Sequence, residues 1–142
     1  MDARPDVIIG CRDTPSVGVR LCDRGGVDAD SVHYAVELWA PGLTARVDEV
    51  VAWSPGRGLA AFLDELAAGY RGWDGERDWQ TDDGDLALSA VFRAGGHVGL
   101  TWSLRPWQKA AGGWSASVTT RVEAGEQMAL LASEVRRFLS GR

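Results

Sequence analysis

Two blocks of period-two alternation, separated by one amphipathic helical stretch, constrain this chain more than any other feature. In Ser31–Ala40, residues Val32, Tyr34, Val36 and Leu38 fall on one face, and His33, Glu37 and Trp39 fall on the other. Side chains of a strand point alternately to opposite faces, so this pattern predicts a half-buried strand. Pro41-Gly42 is a turn signal, and Leu43–Trp53 follows it. The connection is too short for a crossover, which makes the pair an antiparallel hairpin. Val50 and Val51 break the alternation, so a bulge is expected near Glu49. The second block behaves alike. Leu86, Leu88, Ala90 and Phe92 share a face, Ala94-Gly95-Gly96 turns the chain, and Val98, Leu100, Trp102 and Leu104 return inward. Trp114–Glu123 is the last strand, with Ala116, Val118, Thr120 and Val122 on one face.

Ser54–Trp79 lies between the blocks. Ser54 suits a helix cap with Pro55 at the first helical position. Leu59, Phe62, Leu63, Leu66 and Tyr70 form one apolar stripe, and Gly69 and Gly72 end the helix. A second helix over Gly125–Leu139 repeats Met128, Leu131, Val135 and Phe138 at intervals of three and four. Upstream, Val7–Cys11 and Val17–Cys22 read as strands, Asp23–Asp30 as a loop of turn formers, and Asp82–Asp85 as a solvated acidic turn. The expected fold is α+β: a largely antiparallel β-sheet with two α-helices packed on one face, in a single domain over residues 1–142. The other face, with Ser89, Thr101, Ser103, Ser117, Thr119 and Arg121, is polar and suited to water. Strands followed by a helix occur twice, but the two helices share no motif, so no sequence repeat is assigned.

Charge excludes some partners. The net charge of −5 argues against nucleic acid and against an anionic membrane surface, and it fits a basic protein partner. No apolar run approaches the length of a membrane span, and no signal-peptide core opens the chain, so the expected location is the cytoplasm. Cys11 and Cys22 fall on neighbouring strands, a placement that allows a disulfide, although two reduced thiols are favoured.

The sequence holds no strong catalytic set. His33 and His97 are the only histidines and do not share ligand spacing, and the two cysteines lack zinc-site spacing, so no metal or cofactor is expected. No nucleophile elbow or phosphate loop is present. His97 at a strand start is better read as making a structural hydrogen bond than as a general base. Glu37 and Asp48 on facing strands, and Glu76 with Asp78, are read as solvated carboxylates, with Arg46 an available partner. Seven tryptophans are the anomaly. Trp102 falls inward, whereas Trp39, Trp107 and Trp114 fall on an outer face, in a loop and at a strand start, where they either close the rim of the core or form a recognition surface. With Glu37 and Arg105, these three are the candidate partner-binding residues.

Tyr70-Arg71-Gly72-Trp73 followed by Gly75, Arg77 and Trp79 resembles the string found after an apolar helix in an actinobacterial family of uncharacterised small proteins. Gly96-His97-Val98 at a strand start and Gly125-Glu126-Gln127 at a helix start extend the resemblance over roughly Val32 to Leu139. The chain departs at Tyr70, where the family more often has Trp; Tyr keeps the ring. The layout is similar to that of immunity proteins of WapI-type polymorphic toxins. The string itself reads as a structural motif, with Trp73 and Trp79 fastening the turn to the sheet and Arg77 stacked or paired beside them.

Three functions remain. The favoured one is a non-enzymatic binding protein, an immunity protein that occludes a basic toxin. The second is an enzyme or small-ligand protein with a cleft between sheet and helices, using His97, Arg77 and Glu76. The third is a module that self-associates into a homo-oligomer.

Overall fold

The computed structural model describes residues 6–11, 14–28, 31–53, 58–106 and 112–140. Its strands are β1 (Val7–Cys11), β2 (Thr14–Asp28), β3 (Ser31–Ala40), β4 (Leu43–Trp53), β5 (Glu76–Gln80), β6 (Leu86–Arg93), β7 (His97–Leu104) and β8 (Ala116–Glu123). Helix α1 (Leu59–Ala68) follows β4, and α2 (Glu126–Ser140) follows β8. All pairings are antiparallel, and the fold is α+β. The strands divide between two sheets, ordered β1-β2-β3-β4 and β5-β6-β7-β8. Each half is therefore a four-stranded meander closed by a helix. The architecture repeats although no sequence motif does. Helix α1 follows edge strand β4 and carries the chain to a new edge, β5, so one continuous sheet does not form.

The β3–β4 hairpin follows the sequence. Gly42, at φ 80°, takes the position after Pro41 that needs a left-handed backbone. Tyr34 faces Val50 but Val36 faces Val47, which puts one extra residue at Asp48–Glu49, where the bulge was expected. The bulge resets the phase, so Val47 and Val50 both turn toward the core although they are three residues apart. Strand β2 overturns one expectation. The run Asp23–Asp28 continues the strand instead of forming a loop. Cys22 faces Ala35 and Gly25 faces His33, so a second bulge sits at Asp23–Arg24. Asp23 adopts φ 52°, a left-handed conformation that Asp tolerates better than most side chains.

The β1–β2 register also settles the cysteine geometry. Val7 faces Leu21, whereas Cys11 faces Thr14, so Cys22 is about five residues of strand, or roughly 16 Å, from Cys11. That separation is far beyond disulfide reach, and Cys22 is a buried free thiol.

Helix α1 begins at Leu59 with Gly58 as its N-cap and no side-chain cap. Ser54 and Pro55, expected to cap it, lie outside the described residues. Leu59, Phe62, Leu63 and Leu66 are buried, and Gly69 closes the helix by donating to Glu65 and Leu66 carbonyls. Tyr70 leaves this stripe and is 53% exposed, because the helix has ended before it. In α2, Met128, Leu131, Ala132, Val135, Phe138 and Leu139 are buried.

Inner faces of both sheets and both helices share one apolar core. Strand β8 packs on β1, β2 and β3, and α1 packs on α2. The edge-to-face pair Tyr34–Phe138 (6.0 Å) joins β3 to α2, and an Asp64–Arg136 ion pair joins the helices outside the core. Trp102, fully buried, donates through Nε1 to Thr120 Oγ1 at 3.0 Å, so its one polar atom is satisfied. Asp85 corrects the reading of a solvated turn: it is 1% exposed and accepts from Thr81 Oγ1 at 2.6 Å through Oδ1, while Oδ2 has no partner among the described residues. Burial pushes its carboxyl above the usual range. No helix among the described residues is long and apolar enough to cross a membrane.

A buried leucine and an exposed one should separate cleanly in urea unfolding. Leu100→Ala is expected to cost about 3 kcal/mol, and Leu130→Ala, at a 60% exposed position, less than about 0.5 kcal/mol.

Candidate functional site

The outer face of the first sheet carries a connected set of charges. Arg20, Glu37 and Arg46 are direct cross-strand neighbours on β2, β3 and β4. They occupy the outward phase of their strands, so the alternation that buries Leu21 and Val36 and half-buries Val47 also brings them together. Arg46 donates through Nε to Asp48 at 2.6 Å, through Nη1 to Glu37 at 2.7 Å and through Nη2 to Asp23 at 2.5 Å. Arg20 donates to Asp6 at 2.8 Å and reaches Glu37 at 3.4 Å. The bulges at Asp23–Arg24 and Asp48–Glu49 supply two of these carboxylates. Both arginines are held firmly cationic, Arg46 by Asp48 first and Arg20 by Asp6 first. Asp6, Asp23, Glu37 and Asp48 against Arg20 and Arg46 leave this group two negative charges in excess. Cys22 lies beneath it, 3.7 Å from Arg46 Nη1, and burial, followed by the Asp23 charge, pushes its thiol up, away from the reactive thiolate.

Trp39 flanks the ladder two residues beyond Glu37 on the same face. It faces Gly18 across the β2–β3 pair, and its ring lies over that glycine. A Cβ at Gly18 would fall 2.4 Å from Trp39 Cζ2. The missing side chain is what lets the indole lie flat on the strand. Of the candidate partner-binding residues, the structure brings together Glu37 and Trp39. Arg105 and Trp114 sit on the other sheet, beside the terminal Leu104–Ala116 pair of β7 and β8; Arg105 is exposed and Trp114 packs partly on the core. Trp107 lies outside the described residues. Sequence reasoning did not find Arg20, Asp6 or Asp23, although the outward phase of Arg20 opposite Glu37 was a usable signal.

The aromatic-Arg-Gly-Trp string forms a clamp between α1 and the second sheet. Gly72, at φ 110°, lets the backbone pass under Phe92, with 3.1 Å between a built Cβ and the Phe92 ring. Trp73 meets Phe92 edge-on at 5.3 Å and donates to the Ala90 carbonyl at 3.3 Å. Arg77 stacks over Trp73 at 4.4 Å, and Trp79 stacks on Phe62 of α1 at 6.4 Å. Arg71 covers the ring of Tyr70 at the surface. His97 lies against Arg121, whose Nη2 is within 3.0 Å of both ring nitrogens. His97, Arg77 and Glu76 do not converge on a described cavity: none of them lines the one of about 250 Å³ at the helix ends or the one of about 420 Å³ on the second sheet. Among the described residues no group of three or more His, Cys, Asp or Glu could hold a metal ion.

Gly18→Ala is expected to push the Trp39 ring off the strand and cost about 1 kcal/mol. In a Trp39→Ala background the same change should cost close to nothing, so a double-mutant cycle in urea reads the contact directly.

No curated protein and no solved structure matches the chain. Residues 10–142 match the family of unknown function DUF6228, a span that takes in Arg20, Glu37 and Arg46 of the charged outer face, though not Asp6, and the Tyr70–Trp79 clamp, and the chain belongs to that family.

Proposed function

We propose that the chain is a non-enzymatic binding protein that takes a basic protein partner on the outer face of its first sheet. The carrying observation is the Asp6–Arg20–Glu37–Arg46 ladder with Asp23 and Asp48, an outward, negatively biased set flanked by Trp39. Three carboxylates are held by one guanidinium, so little side-chain freedom is lost on docking. The exposed tips of Asp23 and Asp48 and the net charge of −5 favour fast capture of a cationic surface. Trp39 supplies the apolar anchor that a charge ladder lacks.

The finer reading is a cytoplasmic immunity protein of an actinobacterial toxin system. It rests on the resemblance of Tyr70–Trp79 and on the similarity in layout to WapI-type immunity proteins. Occlusion, and not catalysis, would then neutralise the toxin, and the scattered positions of His97, Arg77 and Glu76 support that choice.

The test is co-expression with a basic toxin encoded beside the gene. The wild-type chain is expected to restore growth, and Asp23→Lys with Asp48→Lys to abolish protection while circular dichroism and thermal midpoint stay those of a folded chain. Full protection by the folded double variant would exclude this face.

A further inference from the structure

We infer that Asp85 is a proton-linked lock on the core: its buried carboxyl group takes up a proton on folding, and that proton tightens the packed chain as the medium turns acid. The group stands apart from the charged outer face, and the inference does not rest on the partner proposed for that face.

Three observations carry the assignment. First, the carboxyl group is enclosed and only half satisfied. Asp85 is 1% exposed, its Oδ1 accepts from the Thr81 hydroxyl at 2.6 Å, and its Oδ2 is buried with no hydrogen-bond partner. A carboxylate taken out of water with one oxygen bare costs far more than a neutral acid in the same place. Second, the groups that face it do not offset a negative charge. Asp83 in the same turn adds another, Asp82 beside it is acidic and exposed, and Tyr34 of β3 brings a phenol whose own ionisation is suppressed by burial and then by Asp85. Arg105, just past β7, reaches Asp85 through its backbone N–H, which donates to the Asp85 carbonyl at 2.9 Å, while its side chain is exposed. None of the ion pairs among the described residues includes Asp85. Third, the surroundings have a place for the proton. A proton on Oδ1 donates to Thr81 Oγ1 along the same 2.6 Å line. The Thr81 hydroxyl then turns to the Leu86 carbonyl, 3.4 Å away, and the Leu86 N–H continues to donate to Thr81 Oγ1 at 3.3 Å. Oδ2 is left as the carbonyl oxygen of a neutral acid, whose solitary burial is the lesser cost.

Burial raises the Asp85 carboxyl, the Thr81 bond opposes the rise, and the Asp83 charge adds to it. The folded chain therefore holds this proton more tightly than the unfolded chain does. The stability it contributes is complete below the ordinary aspartate value of about 3.9 and is lost as pH rises through the raised folded value. A carboxylate that is ion-paired in the fold has the opposite dependence. The charge of Asp85 acts on Tyr34, which in turn meets Phe138 of α2, so the proton bears on the joint between the two halves.

Urea unfolding of the wild-type chain and of Asp85→Asn, followed from about pH 7.5 down to about pH 4.5, tests the lock, because the difference between the two cancels every other carboxylate. The wild-type unfolding constant is expected to fall relative to that of the variant as pH falls, by at most about tenfold per pH unit, the limit for one proton. Carbon-13 NMR of the Asp85 carboxyl carbon in the folded wild-type chain reads the same group without any substitution, and its midpoint is expected above about 3.9. Thr81→Val, which removes a bond to the charged form, is expected to move that midpoint further up, and Thr81→Ser to leave it in place. The inference is overturned by a difference that does not change with pH or that grows as pH rises. An Asp85 midpoint at or below about 3.9, or a lower midpoint in Thr81→Val than in the wild type, overturns it equally.

Discussion

Two small sheets depend on one pair of helices. Each half is a four-stranded meander with one apolar face and a single helix, and a unit of that size buries too little surface to be secure alone. The halves solve this by facing inward together. Leu63 and Leu66 of α1, Val135 and Leu139 of α2, Val36 and Leu38 of the first sheet, and Leu100 and Trp102 of the second belong to one cluster. The joints between halves are specific as well as apolar. Tyr34 meets Phe138 edge-on, Phe62 stacks on Trp79, and Asp64 pairs with Arg136.

Inward packing leaves two outward sheet faces, and they differ. The second sheet presents hydroxyl pairs, Thr101 with Thr119 at 2.9 Å and Ser103 with Ser117 at 2.8 Å. Such neutral pairs satisfy one another and hold little long-range field. The first sheet presents ionised groups tied into a chain by Arg20 and Arg46. Exposed ion pairs contribute little to stability, because water screens them and side-chain entropy opposes them. The ladder on the first sheet is the set of groups on which the proposed partner would dock.

The strands were legible because their periodicity is simple. Val32 to Leu38 and Leu86 to Trp102 alternate without interruption, and Pro41-Gly42 and Gly95-Gly96 mark the reversals. The Glu49 bulge was legible because two adjacent valines cannot both face inward without one. The continuation of β2 through Asp23–Asp28 was not, since Asp-Arg-Gly-Gly is turn chemistry in isolation; pairing with β3 and the left-handed backbone at Asp23 override it. Tyr70 matched helical spacing two residues beyond the helix's actual end. Asp85 looked like its neighbours Asp82 and Asp83, and its burial is set by the hairpin closing over it, with the Arg105 N–H on its carbonyl. Division into two sheets was hidden for a similar reason: periodicity reports which face a residue takes but not which strand lies beside it. Of the site, Glu37 and Trp39 could be placed on one face from phase alone, while the convergence of Asp6, Asp23 and Asp48 on two arginines needed register and bulges. Trp53 and Trp79 become neighbours of one cavity only through tertiary packing.

The shared core is the claim on which the rest stands, and native-state hydrogen exchange under increasing denaturant tests it most directly. If the halves form one cooperative unit, the amides of Val36 in β3 and Leu100 in β7 will converge on a single opening free energy equal to that of global unfolding. Two separate plateaus, one for each sheet, would contradict the account.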